Sequence, residues 1–89
     1  MFTNSTVIPL IDDVQGATHM VHVYETISGT NAFADTYHIY PGEAEGTLIL
    51  VDQYDHEYTV KGTTDNLGLL VEDFWQDRQR AEWELANVL

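Results

Sequence analysis

Near residue 63 the hydrophobic rhythm of this chain changes, and the change restricts its fold more than any other feature. Before that point, apolar and β-branched residues come in short runs separated by turn residues; after it, they recur with a helical period. Thr18 to Ile27 places Val21, Val23 and Ile27 on one parity and Met20, His22, Tyr24 and Thr26 on the other. That alternation predicts a strand with one clearly apolar face. Ser28 to Asn31 reads as a turn, and Phe33 to Tyr40 as a second strand ending at the turn signal Pro41-Gly42. Thr47 to Asp52 and His56 to Lys61 flank Gln53, Tyr54 and Asp55 and form the clearest hairpin. The run Thr6 to Ile11 is broken by Pro9, which suits an edge strand or an extended lead-in, and Asp12 to Thr18 reads as a loop.

From Thr64 onward Leu67, Leu70, Val71, Phe74, Ala81, Leu85 and Val88 fall on one helical stripe. Thr64 or Asp65 can cap its start, and Glu72 and Asp73 lie in the first half, where carboxylates suit the helix dipole. A small antiparallel sheet of three to five strands, packed against one C-terminal amphipathic helix, buries both apolar surfaces. The expected class is therefore α+β, with residues 1–89 as a single domain, since a chain this short supports one small core.

Taking Phe74 as the core direction, helical geometry puts Trp83 about 180° away and Trp75 about 100° away. Trp83 is then expected to face away from the sheet, surrounded by Glu72, Gln76 and Gln79, with Asp73, Asp77 and Glu84 along one flank beside Arg80. Asp73 and Asp77 form an i,i+4 like-charge pair, partly offset by Arg78 with Glu82 and Arg80 with Glu84. Local helix stability does not account for these acids. An aromatic residue in an acidic frame suits a protein-binding face, homodimerisation included, because Trp and Arg are enriched at binding hot spots; packing of Trp83 within the monomer is the alternative.

Charge narrows the choice of partner. The chain holds 15 Asp and Glu against 3 Lys and Arg, a net charge of −12. Only Lys61, Arg78 and Arg80 are basic, so the first 60 residues carry nine carboxylates and no cation other than histidine. Direct nucleic-acid or anionic-membrane binding is disfavoured, because phosphate contacts need cations. A basic protein is the natural complement. A globule about 30 Å across spans duplex DNA bearing about 18 charges, so the protein can compete for a nucleic-acid-binding groove. Generic acidity for solubility or high salt is the competing explanation. Without cysteine, thiolate metal sites and disulfides are excluded, which suits a reducing compartment. Met-Phe-Thr-Asn lacks the positive start of a signal peptide and no apolar run reaches about 18 residues, so a soluble cytoplasmic protein is expected.

Catalytic signatures are weak. No glycine-rich phosphate loop, G-x-S-x-G elbow or H-E-x-x-H helix occurs. His19 and His22 are three apart on a strand and point to opposite faces. Asp52, Asp55, His56 and Glu57 gather at the hairpin turn, where oxygen ligands converge, but the glycine and closing Glu of a calcium loop are missing. The acid pairs Asp12-Asp13 and Glu43-Glu45 lack the cleft that a glycosidase needs. The expectation is a non-enzyme with no cofactor or metal.

The order Leu48-Ile49-Leu50-Val51, a polar turn, Glu57-Tyr58-Thr59-Val60 and Leu69-Leu70-Val71-Glu72-Asp73-Phe74 resembles the small acidic anti-CRISPR proteins of phages, over roughly residues 47 to 80. The resemblance implies a stoichiometric inhibitor that presents carboxylates, in place of phosphates, to the basic groove of a CRISPR effector. No family residue transfers by position. The partner-binding residues expected from the helical wheel and the turn are Glu72, Asp73, Gln76, Asp77, Trp83 and Glu84 on the helix and Asp52, Asp55 and Glu57 at the hairpin. The alternative class is a homo-oligomeric acidic accessory domain without mimicry.

Overall fold

The computed structural model describes residues 2–87. Five strands, β1 (Phe2–Pro9), β2 (His19–Ile27), β3 (Thr30–Pro41), β4 (Thr47–Val51) and β5 (Glu57–Lys61), are followed by a 3-10 turn (Thr64–Asn66) and one helix, α1 (Leu67–Asn87). The strands form an antiparallel meander in the order β1-β2-β3-β4-β5. The α+β class expected from the change of period is the fold observed.

Local chemistry sets the connections. Ile27 pairs with Thr30, so the β2–β3 turn is only Ser28-Gly29, shorter than the four residues expected. Both have positive φ, 52° and 79°, which a two-residue hairpin turn of this hand requires and which Gly29 adopts without steric cost. The β4–β5 turn matches expectation, with Val51 opposite Glu57. The helix start is capped one residue early, by the Thr63 side chain accepting from the Asp65 backbone. Gly68 lets α1 settle against β1, since a Cβ there would lie 2.9 Å from Ser5 Oγ.

One bulge sorts the two sheet faces. Val23 pairs with Asp35 but Tyr24 pairs with Phe33, leaving Ala34 as the extra residue of β3. Phe33 is thereby switched to the face bearing His22 and Tyr24, with ring centroids 6.1 Å from both. On the other face Val21, Val23, Tyr37, Ile39, Leu48 and Leu50 form the core with Leu67, Val71 and Trp75 of α1; Leu70, Phe74, Tyr58 and Val60 pack at its margin.

The helix corrects the expected stripe. Trp75, placed about 100° from the core by the wheel, is only 7% exposed, because α1 lies down on the line Leu67, Val71, Trp75 and leaves Phe74 at the margin. Ala81 and Leu85 belong to the expected stripe yet are exposed, since the sheet ends before the helix does. Val88 lies outside the described residues. From Gln79 to Ala86 every helical residue is exposed. This overhang fits a radius of gyration of 13.8 Å, against about 12 Å for a compact chain of this length.

Candidate functional site

Where the helix leaves the sheet, a groove of about 580 Å³ opens between α1, the β2–β3 hairpin and the β4–β5 turn. Its charged lining is Glu25, Asp35, Asp52 and Glu82 against Arg78, with His56 at the mouth. The placement of each follows from its strand or stripe. Asp35 has the parity of Tyr37 and Ile39, and so points to the helix side. Arg78 and Glu82 stand seven residues after Val71 and Trp75, two helical turns along the buried line and just past the sheet.

Asp52 organises the hairpin end. Its Oδ1 accepts the Tyr54 and His56 backbone N–H groups at 2.9 and 3.0 Å, and its Oδ2 accepts Tyr58 Oη–H at 3.3 Å. His56 Nδ1 lies 3.6 Å from Oδ2. Burial opposes ionisation, but these hydrogen bonds and the nearby imidazole prevail, and hold the Asp52 carboxyl below the ordinary range. The Arg78 guanidinium stacks on the Tyr58 ring, 4.4 Å from its centroid, and its Nη2 lies 3.5 Å from Glu82 Oε1.

Asp35 behaves oppositely. Burial raises its pKa, and the hydrogen bonds from the Thr36 N–H and the Tyr37 hydroxyl only partly compensate. Tyr37, itself 1% exposed, has its phenol pushed up by burial and by the Asp35 charge. The groove thus holds Asp35 where burial disfavours its charged form, with Asp52, Glu82 and the Arg78 guanidinium in the same lining.

The nine residues expected to contact a partner are dispersed. Asp52 alone lines this groove, and it turns inward with a side chain 10% exposed. Asp55 and Glu57 are exposed, Glu57 on the sheet face away from α1. Glu72 departs from the frame expected around Trp83: its Oε2 accepts Ser5 Oγ–H at 2.7 Å, because the helix leans toward β1. Asp73, Gln76, Asp77 and Glu84 are exposed on α1, Asp77 Oδ1 lying 3.9 Å from Arg80 Nη1. Trp83 is 66% exposed. Glu25, Asp35 and Glu82 were missed as lining residues, although the parity of Asp35 and the stripe position of Glu82 were legible.

Among the described residues, no group of three or more His, Asp or Glu side chains is placed to hold a metal ion. No described helix is long and apolar enough to cross a membrane. No protein-family model, curated protein or solved structure matches this chain.

Proposed function

We propose that this chain is a non-enzymatic acidic inhibitor or decoy that occupies the basic nucleic-acid-binding groove of a cytoplasmic partner, in its specific form a phage anti-CRISPR protein that blocks DNA binding by a CRISPR effector. The observation that carries this is the acidic surface of α1: Asp73, Asp77, Glu82 and Glu84 are exposed along the helix, with Trp83 among them, and outnumber the arginines Arg78 and Arg80 beside them. The helix carries five acids against two arginines, and an acidic helix face with an aromatic anchor is suited to a cationic cleft. A net −12 spread over the 41 Å long axis matches one strand of B-DNA, at about 3.4 Å per charge, and not both. A groove that holds one strand is therefore the better fit.

The test is binding of the purified protein to a CRISPR effector complex, with displacement of its target DNA. The double variant Asp73→Lys, Asp77→Lys should lose binding and keep native circular dichroism, and binding of the original chain should weaken steeply with salt. Full binding by a natively folded double variant would overturn the role of this helix flank. No binding to any basic nucleic-acid-binding protein in dilute buffer would overturn the proposal itself.

A further inference from the structure

The sheet face turned away from α1 is uncharged across four strands. At the chain's overall frequency of charged residues, its sixteen positions on β1 to β4 would carry about three Lys, Arg, Asp or Glu, and they carry none. Its charged side chains, Glu57 and Lys61, are confined to the edge strand β5. Met20, His22, Tyr24, Phe33, His38 and Tyr40 occupy its centre, with Phe33 54% exposed. Depletion of charge with enrichment of aromatic residues and Met is the composition of an interface core, and the exposed Asp55 and Glu57 lie beside Tyr40, Ile49 and Val51 as part of a polar rim.

We propose that this face docks a second copy of the chain in a symmetric dimer. A basic partner finds no charge to complement here. Two copies, each at −12, can meet here without bringing the carboxylates of α1 into the contact. Strands about 4.8 Å apart and about 3.3 Å per residue give a face of about 500 Å² per copy, with Gln15 of the β1–β2 loop seated against Tyr40 at one end, so a dimer buries at most about 1,000 Å², the lower limit of a specific interface. The dimer is therefore weak, and salt strengthens it by screening the repulsion between rims. This inference does not rest on the inhibitor reading, whose partner complex salt weakens.

Sedimentation equilibrium from about 10 µM to about 1 mM, a range suited to a minimal interface, should find a monomer–dimer equilibrium that tightens between low and high salt. Tyr24→Glu should weaken it at least about tenfold, since a buried unpaired carboxylate is strongly disfavoured. Because Tyr24→Glu can disturb β2, a second measurement uses the absence of cysteine from the chain. Thr6→Cys, on this face, should cross-link into dimers with a bis-maleimide, and Gln76→Cys, exposed on α1, should not. A monomer at every concentration in high salt would overturn the proposal. So would cross-linking through Gln76→Cys and not Thr6→Cys, or a dimer indifferent to a natively folded Tyr24→Glu.

Discussion

The two faces of one sheet, built from alternate residues of the same strands, have been given opposite tasks. The helix side holds Val21, Val23, Ile39 and Leu50 with no measurable exposure, and at its open end gathers Asp35, Asp52, Glu82 and Arg78 into a groove. The far side is half-buried, aromatic and uncharged over four strands. In a one-layer antiparallel sheet the solvated face is normally the polar one. Here charge concentrates in loops, in turns and on the helix, and the sheet face that sees solvent is left neutral.

Truncation on the two faces gives the largest expected contrast. Leu50→Ala or Ile39→Ala should cost about 2–5 kcal/mol, the range for emptying a packed core site. Ile49→Ala, next to Leu50 but on the far face, should cost about 1 kcal/mol or less, as a half-solvated site does. Urea denaturation of dilute protein measures both, and equal costs would break the comparison. Asp52→Ala should cost about 1 kcal/mol by removing the acceptor of three hydrogen bonds at the β4–β5 turn. Because the folded pKa of Asp52 is depressed, its contribution is full above the ordinary Asp range and is lost as pH falls through the folded value. An acid titration of stability should therefore lose a low-pH component in Asp52→Asn.

Ser5→Ala removes the bond to Glu72 that ties β1 to α1, and about 1 kcal/mol is expected from one charge-assisted hydrogen bond at a partly solvated site. The smallest effect carries the opposite sign. Asp35→Asn should raise the melting temperature at pH 7, because it removes a charge that burial disfavours while leaving an acceptor for the Tyr37 hydroxyl. With a folded pKa above the unfolded one, Asp35 costs most at pH values above the folded pKa, and its penalty disappears as pH falls through the window between the two. The advantage of Asp35→Asn should fade over that window. A destabilised variant at pH 7 would show that Asp35 serves the fold, and would remove the reason to regard the groove as a binding site.

Much of this division was legible in the chain. The β4–β5 hairpin could be placed from Leu48 to Val51 and Tyr58 to Val60, and the core parity of β2 from Val21 and Val23, because turn residues and alternation are local. Trp75 was misplaced because a wheel fixes angles between side chains but not which line meets the sheet. The Ser5–Glu72 hydrogen bond joins residues 67 positions apart, a contact that no helical wheel contains. The groove is not legible in any one segment, because Asp35, Asp52 and Glu82 meet only after three elements converge.

The amino-acid sequence by itself determined the class of fold, the hairpins and the excess of negative charge, since periodicity, turn chemistry and composition are local or additive. Tertiary structure alone decided that the helix outruns the sheet, that the Ala34 bulge carries Phe33 to the far face, and that the uncharged residues of β1 to β4 share one surface. Those outcomes depend on register and on where two elements stop touching, which no single segment encodes.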